Sequence, residues 1–466
     1  MIFSSVTFLF YFLPITMALY FCMPLPFRNG MLLLCSLFFY VWGEPRHIIV
    51  MGMSIAAGYG FGLLVEKYKE RPMGRVWCVL SVCISLSFLL YFKYADFFLT
   101  NLNRITGANI PLLHVSLPIG ISFYTFQMIS YTVDVYRGET AQKNIVHLAV
   151  YITMFPQLIA GPIVRYADIA RQIESNRRTT FEMAAEGIRF FVIGLAKKIL
   201  LADQLAQLCV LFRNAEQKSV LFYWIYALGC SLYIYFDFSG YSDMAVGLGR
   251  IFGFYFPENF RYPFVSASIT EFWRRWHRSL GTWFRDYVYI PLGGSRAGVR
   301  RQAVNILIVW TLTGFWHGAA WNFILWGLCS AVLLILEKRF LLAALKKSRV
   351  YSHIYTLVFV LVSFVIFHAG NLNEAYSDIL GLFGAGGIPA VSPEALYCFR
   401  NFAPVLLLGM AGATPVVRNA AVRLSGHPSY GRILNLFEPV FLAALLFAAT
   451  AYLIDGSFHS FLYFRF

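Results

Sequence analysis

The chain has 466 residues, of which 59% are hydrophobic, 18% are aromatic and only 13% are charged. A soluble globular domain carries about 25% charged residues, and one water-facing core cannot hold this much apolar side chain without exposing large patches. The composition therefore excludes a soluble enzyme, a disordered chain and a disulfide-stapled secreted module. It predicts an all-α polytopic membrane protein.

The formal net charge is +15, from 38 Lys and Arg against 23 Asp and Glu. In a membrane protein this excess is typical of cytoplasmic loops that lie beside anionic lipid, so no nucleic-acid partner is predicted. A basic face can also hold an anionic cofactor, such as a nucleotide-tailed thioester. The basic loop at 67–75 and Arg28 are expected to face the cytoplasm, with the N-terminus outward.

Apolar stretches free of Asp, Glu, Lys and Arg recur along the whole chain, and a spanning helix needs about 20 such residues. They predict about eleven or twelve transmembrane or re-entrant helices, with 187–211 as a further element interrupted by three charges. No polar interval is long enough for a soluble domain, so 1–466 is predicted to be a single integral-membrane domain. The stretches are 1–27, 29–43, 47–65, 76–92, 105–133, 144–164, 219–236, 302–336, 350–373, 401–417 and 439–454.

The eight cysteines do not indicate a metal site or a disulfide framework. Most of them, Cys230 among them, lie inside apolar runs without CxxC spacing, which is typical of small buried hydrophobic residues. No metal is expected.

Polar groups are costly inside a bilayer, so three polar islands are candidates for function. The first contains Asp237, Ser239 and Tyr241 at the end of an apolar run. Asp237 or Ser239 can cap a helix that starts near Tyr241, or the three side chains can line a polar cavity. The residues alone favour neither interpretation.

The second island runs through Arg274, Arg275, Trp276 and His277. Trp beside Arg is typical of the membrane interface, and composition favours an amphipathic helix lying there. The alternative is a re-entrant segment that brings an arginine to an anionic ligand and His277 to a reaction centre.

The third island places Trp316, His317 and Asn322 near the middle of the long 302–336 stretch, which is long enough for two elements. A buried imidazole can stay neutral and serve as a base or a hydrogen-bond partner. A histidine that only packs against a neighbouring helix is the alternative.

Two proline-containing segments also interrupt the apolar chain. Pro118 precedes Gln127 and other polar residues, which suits a kinked, cavity-lining helix or a plain packing kink. The prolines of 155–163 predict a broken helix.

At these islands the sequence resembles the membrane-bound O-acyltransferase family, specifically its bacterial alginate O-acetyltransferase-like branch. The similarity extends over nearly the whole chain in the same order. The segments that carry it are LPIGISFYTFQMISYTVDVYRG (117–138), FPQLIAGPIVRY (155–166), YIYFDFSGYSDMAVGLGRIFGF (233–254), FWRRWHRSLGTWFRDYVYIPLGGSR (272–296) and GFWHGAAWNFILWG (314–327).

The resemblance implies a helical funnel that reaches a central histidine. His317 takes the place of the family's catalytic histidine, and His277 that of the second, upstream residue. Tyr463, in the ending Phe461–Phe466, resembles the branch's C-terminal tyrosine, which can relay an acyl group or serve only as an aromatic anchor. Phe367-His368-Ala369 departs from the branch, which often has an arginine where His368 stands.

The function implied is transfer of an acetyl group from cytoplasmic acetyl-CoA across the bacterial cytoplasmic membrane for O-acetylation of an exported polysaccharide. An extracytoplasmic SGNH-type acetyltransferase is the expected partner. The donor-binding residues are predicted to be Arg274, Arg275, Trp276 and Asn322, and the cavity-lining residues Asp237, Ser239, Tyr241, Gln127 and Trp316.

Three other functions fit some of the same features. D-alanyl transfer from a carrier protein to a wall polymer belongs to the same family. A transporter or flippase without acyl chemistry, or a scaffold of an export complex, would also use broken helices but would not depend on His317.

Overall fold

The computed structural model describes residues 2–159, 161–296 and 298–455, and within these ranges the chain forms helices and loops without a β-strand. The all-α prediction is confirmed. Tyr463 lies outside the described residues. Seven helices in the described part are long and apolar enough to cross a membrane: Leu25–Gly43, Pro45–Tyr68, Pro72–Thr106, Val220–Ile251, Arg349–His368, Pro393–Gly412 and Leu436–Ile454.

The first of two compact units comprises Met1–Phe191 and Met244–Pro257. Aromatic rings fill its core, and the centroids of the Phe12 and Phe155 rings are 5.3 Å apart. Its helices are Phe8–Phe12, Leu13–Cys22, Arg28–Gly43, Ile48–Tyr68, Pro72–Leu89, Leu90–Tyr94, Ala95–Thr106, Ile121–Arg137, Ile145–Thr153, Phe155–Leu158, Tyr166–Glu174 and most of Phe181–Ala196.

The predicted kink at Pro118 is wrong, because this proline precedes the helix and does not interrupt it. The helix begins at Ile121, directly after Gly120, which has a φ of 76°. A Cβ at Gly120 would lie 2.6 Å from the carbonyl oxygen of Leu158, so both the backbone conformation and the space require glycine. The break predicted within 144–164 is confirmed, since one helix ends at Thr153 and a short one begins at Phe155.

The second unit comprises Val192–Asp243 and Glu258–Phe466. The prediction of a single domain over 1–466 stays a prediction. The helices of this unit, beyond the segments shared with the first, are Lys197–Ala202, Asp203–Asn214, Ile269–Arg275, Arg278–Phe284, Arg285–Tyr289, Val299–His317, Trp321–Leu336, Glu337–Leu341, Leu342–Leu345, Arg349–His368, Leu372–Leu382, Pro393–Gly412, Val416–Ser425 and Pro428–Ile454.

Basic residues are concentrated in two segments of the second unit, 285–301 and 338–349. The guanidinium of Arg339 donates to the carbonyl oxygen of Val299 over 3.4 Å and so joins the two segments. We call this region the basic end of the second unit. Its cationic residues include Arg285, Arg296, Arg300, Arg301, Lys338, Arg339, Lys346, Lys347 and Arg349.

A buried ion triad joins two helices in the interior of this unit. The Lys198 ammonium lies 2.7 Å from a carboxylate oxygen of Asp203 and 2.6 Å from one of Asp237. Lys198 belongs to a π-helical turn, a local widening that is common at functional sites. Asp237 lies inside the continuous Val220–Ile251 helix, so of the two interpretations of this island the helix cap near Tyr241 is excluded.

We expect Lys198→Met to destabilise the protein strongly. The substitution leaves two buried carboxylates beside each other without a cation, and breaking a buried ion pair from one side costs about 3–5 kcal/mol. The midpoint of thermal unfolding in detergent should fall clearly, whereas Lys346→Met, at an exposed position, should leave it unchanged. An unchanged midpoint in Lys198→Met would show that the triad does not hold the two helices together.

Candidate active site

A cavity of about 560 Å³ lies within the second unit. Part of its wall is aromatic, from Trp273, Trp276, Trp310 and Trp326, and part is cationic. Its complete lining is Thr270, Trp273, Arg274, Trp276, His277, Arg278, Leu280, Gly281, Thr282, Phe284, Arg285, Tyr289, Ile306, Val309, Trp310, Thr313, His317, Trp326, Leu334 and Lys338.

One wall of the cavity is a broken helix. Ile269–Arg275 and Arg278–Phe284 are separated at Trp276 and His277, and His277 has a φ of 41°, in the left-handed region. The segment is therefore two short helices and not one continuous amphipathic helix, and it brings His277 to the cavity, as the re-entrant alternative expects.

The buried carboxylate of Glu337 fixes where this wall begins. It accepts hydrogen bonds from the backbone N–H of Ile269 over 2.6 Å and of Thr270 over 2.8 Å. A carboxylate at a helix N-terminus accepts hydrogen bonds from backbone N–H groups that have no partner within the helix. Its negative charge also interacts favourably with the positive end of the helix dipole. Glu337 thereby ties the start of the broken helix to the helix that carries Trp326.

The hydrogen bonds of Asn259 define the tautomer of His277. The carboxamide oxygen of Asn259 accepts from the backbone N–H of Ser279 over 3.3 Å and from its hydroxyl over 2.9 Å, and it lies 3.0 Å from His277 Nδ1. An oxygen with only acceptor capacity requires Nδ1 to carry the proton. The Ser279 backbone N–H can only donate. If the Asn259 carboxamide were flipped, its NH₂ group would face this N–H, and two donors would meet without an acceptor.

His277 is consequently a neutral imidazole with a free lone pair. Burial of the ring, which is 3% exposed, favours its uncharged form. Its Nε2 is buried and has no hydrogen-bond partner among the described residues. A buried acceptor without a partner needs an explanation, and a bound substrate that donates a hydrogen bond supplies one.

His317 lies at the end of the Val299–His317 helix, opposite His277. The chain then passes through an extended Gly318 before the Trp321–Leu336 helix starts, which confirms that 302–336 contains two elements. The centroids of the His317 and His277 rings are 6.5 Å apart. The His317 ring is held edge-to-face by Trp326 at 5.2 Å and by Phe367 at 5.3 Å.

Glycines let the two helices on either side of His317 approach closely. A Cβ at Gly314 would lie 2.3 Å from the carbonyl oxygen of Phe323, and one at Gly327 would lie 2.3 Å from that of Trp310. Backbone therefore packs against backbone along this pair, and no larger residue fits at either position.

The two adjacent arginines have different surroundings. Arg274 lines the cavity together with Lys338. Burial and then the positive charge of Arg274 lower the pKa of Lys338, as expected where two cations lie near each other. The guanidinium of Arg275 instead lies 2.7 Å from the Glu271 carboxylate and is absent from the lining. The geometry thus supports Arg274, but not Arg275, as a ligand for an anion in this cavity.

The other predicted site residues divide between this cavity and other places. Trp276 belongs to the lining, whereas Asn322 donates to the carbonyl oxygen of Ala369 over 2.8 Å and ties two helices together. The Trp316 ring packs beside both histidines, 5.0 Å from His317 and 6.2 Å from His277, without being part of the lining.

Like Trp316, the other four residues predicted to line the cavity are not part of its lining. Asp237, Ser239 and Tyr241 are buried in the Val220–Ile251 helix, where Asp237 belongs to the ion triad. Gln127 belongs to the first unit, where its amide donates to the carbonyl oxygen of Tyr151 over 3.4 Å.

Residues 142–377 match the model of the membrane-bound O-acyltransferase family. The chain belongs to this family. The match includes every residue that lines the cavity, both histidines among them. The protein is therefore a multi-pass membrane O-acyltransferase.

Several proteins with similar sequences are named as acetyl-transferring enzymes. A probable alginate O-acetylase of Pseudomonas putida is 38% identical over 490 residues that cover 100% of both chains. The corresponding protein of Azotobacter vinelandii is 42% identical over 83% of this chain and 79% of its own. A peptidoglycan O-acetyltransferase of Helicobacter pylori is 33% identical over 83% and 81%.

Sequence reasoning missed three residues that shape this site: Asn259, Glu337 and Lys338. Asn259 lies outside the three islands, and its role depends on a loop that folds back beside His277. Glu337 and Lys338 follow an apolar run and are typical of a solvated helix end. Only the packing of Glu337 against the broken helix distinguishes it from such an end.

We expect Asn259→Ala to lower the turnover number of acyl transfer by about 10–100-fold, since partners that orient a functional histidine have effects of this size. Asn259→Asp keeps an acceptor for the His277 Nδ1–H and should retain more activity. Asn371→Ala, at an exposed helix cap remote in sequence from the site, is the control. Equal turnover by Asn259→Ala and the wild type would refute the positioning role.

Proposed function

We propose that the enzyme transfers an acetyl group from acetyl-CoA, delivered from the cytoplasm, to a hydroxyl group and thereby supplies the O-acetylation of an exported cell-envelope polysaccharide. The observation that carries this proposal is the pair of imidazoles 6.5 Å apart at a cavity that is lined by cations from the basic end. The names of the relatives, alginate O-acetylase and peptidoglycan O-acetyltransferase, support acetyl transfer to a polysaccharide.

The cavity suits a thioester donor with a phosphate-bearing tail. Arg274 and Lys338 provide positive charge without an acidic partner in the described network, and a guanidinium binds phosphate in a bidentate manner. The aromatic wall of Trp273, Trp310 and Trp326 gives the acyl end a dry environment. In this arrangement phosphates bind toward the basic end and the thioester reaches the histidines.

Chemistry on an activated thioester needs little more than a base and positioning. In the proposed step His317 takes the proton of the attacking hydroxyl, whose oxygen bonds to the thioester carbonyl carbon. The carbon–sulfur bond breaks, and the departing CoA thiolate receives the proton from His317. Acetyl transfer is complete without any metal or redox partner.

The hydrogen bonding of His277 defines its part in this step. With Nδ1–H already bound to Asn259, the neutral ring offers only an acceptor at Nε2, so it is unsuited to polarise a carbonyl group. Its lone pair is instead proposed to accept a hydrogen bond from the bound substrate, because ring centroids 6.5 Å apart are too distant for a direct hydrogen bond between the two imidazoles. A weakly basic imidazole is suited to this role because it accepts a hydrogen bond without taking the proton.

The acceptor hydroxyl is inferred from the resemblance of the C-terminal segment to that of the family branch. The hydroxyl of Tyr463 is proposed to receive the acetyl group as an ester, and an extracytoplasmic SGNH-type acetyltransferase partner would pass it to the polysaccharide. The location implied is the bacterial cytoplasmic membrane, with the basic end inward.

D-alanyl transfer from a carrier protein is the second candidate within the family. A teichoic acid D-alanyltransferase of Bacillus subtilis is 32% identical, but over only 46% of this chain and 58% of its own. The alginate and peptidoglycan relatives match over a much larger share of both chains, and this difference favours acetyl transfer.

We expect Arg274→Ala to raise the KM for acetyl-CoA about tenfold or more while changing the turnover number little, since removing uniform binding acts on KM. Arg275→Ala is a matched control, because this neighbour pairs with Glu271 and does not line the cavity. An equal rise in KM in both variants would contradict the assignment of Arg274 to the donor site.

The decisive experiment incubates the purified protein with acetyl-CoA, measures free CoA and determines the mass of the C-terminal peptide. We expect CoA release and an acetyl adduct on Tyr463, with both lost in His317→Ala and also in Tyr463→Phe, which lacks the accepting hydroxyl. CoA release without an adduct in the wild type would retain the acetyltransferase and reject the tyrosine relay. No CoA release from folded protein supplied with its partner would reject acetyl-CoA as donor and favour a carrier protein.

A further inference from the structure

A second cluster of chemically reactive side chains lies in the same unit, away from the cavity lining. Cys209, Cys230 and His368 come from three different helices, and their ligand atoms all lie within 4.8 Å of one another. Both cysteines are buried, and His368 is partly buried. The spacing along the chain, 21 and 138 residues, explains why the sequence does not indicate a metal site.

We propose that these three side chains bind a zinc-type divalent metal ion. Two thiolates and one imidazole form a ligand set that zinc uses in proteins, with Zn–S distances of about 2.3 Å and Zn–N distances of about 2.0–2.1 Å. Tetrahedral ligands at those distances are about 3.5–3.8 Å apart. The side chains therefore need to close by only about 1 Å around an ion.

Charge balance in an apolar interior favours a divalent ion. Binding expels the two thiol protons, so a dication with two thiolates and a neutral imidazole carries no net charge. Burying a neutral cluster avoids the large desolvation cost that an unpaired ion would incur. The three ligands leave a fourth position, which a water molecule can fill.

The outer contacts of His368 resemble those of a metal-binding histidine. Its Nδ1 lies 2.9 Å from the Tyr226 hydroxyl, which accepts a hydrogen bond from the Arg213 guanidinium over 2.6 Å. In the proposed site the proton of His368 is on Nδ1, where it is donated to the Tyr226 oxygen, so that the lone pair of Nε2 binds the metal. Partners of this kind orient metal-binding histidines in proteins.

Tyr226 and Arg213 are themselves held by further contacts. The Tyr226 ring stacks on Phe212 with centroids 4.1 Å apart, and Arg213 is anchored by carboxylate oxygens of Glu374 at 2.7 Å and Asp378 at 2.8 Å. These contacts therefore orient His368, at the end of the Arg349–His368 helix, before any ion binds.

The site would connect to the active site through one residue. His368 follows Phe367, whose ring packs against His317 at 5.3 Å. An ion that fixes His368 also fixes the end of the helix that holds the catalytic imidazole. The metal would act structurally, without contact with the substrate.

The test measures metal in the full-length protein purified without chelators. We expect about one zinc ion per chain, and at least a tenfold loss of zinc in Cys209→Ser, Cys230→Ser and His368→Gln. Cys398→Ser is the matched control, because Cys398 is also buried in this unit but is not part of the cluster. Addition of Co²⁺ to metal-free protein should give a thiolate-to-cobalt absorption band that requires both cysteines.

Several outcomes would overturn the proposal. They are the absence of both bound zinc and a cobalt band in folded wild-type protein, retention of zinc in all three variants, and a disulfide between Cys209 and Cys230 after purification. If a cysteine variant fails to fold, His368→Gln and the metal content of the wild type still decide the question. Because the readout is metal content, the result is independent of whether acetyl-CoA is the donor.

Discussion

Asn259 holds the break in which His277 lies, and the orientation of the His277 ring in the candidate site depends on this residue. Its carboxamide oxygen binds the His277 Nδ1–H and both donors of Ser279, and its amide donates to the Ser242 hydroxyl over 2.8 Å. Its own carbonyl oxygen accepts from the backbone N–H of Arg278 over 2.9 Å. In an apolar medium an interrupted helix is stable only if the protein satisfies the polar groups that the interruption exposes. The residue that satisfies them therefore also sets the direction in which the imidazole presents its lone pair.

Much of this architecture could be predicted from the sequence because apolar length and glycine position are local properties. The run 302–336 is too long for one span and has glycines on both sides of His317, so a break there was predictable. Asp237 shows where such reasoning fails. A carboxylate in an apolar run suggests a helix end, but the helix continues because Lys198 comes from another helix to pair with it.

The sequence also does not show which of the two adjacent arginines, Arg274 or Arg275, lines the cavity. Glu271 lies four residues before Arg275 and pairs with it within the Ile269–Arg275 helix, a spacing that the sequence does show. That Arg274 lines the cavity depends on where this short helix is placed, and its start is fixed by Glu337, which is distant in sequence.

The glycine contacts beside His317 have a mechanical consequence. Where Gly314 and Gly327 bring two helix backbones together, there is no layer of side chains that can slide or repack. The Val299–His317 and Trp321–Leu336 helices must therefore move as one stiff body. Widening of the cavity to admit a bulky donor then requires the broken helix to move about its anchor at Glu337. His317 stays on the stiff wall, whereas His277 lies on the wall that moves.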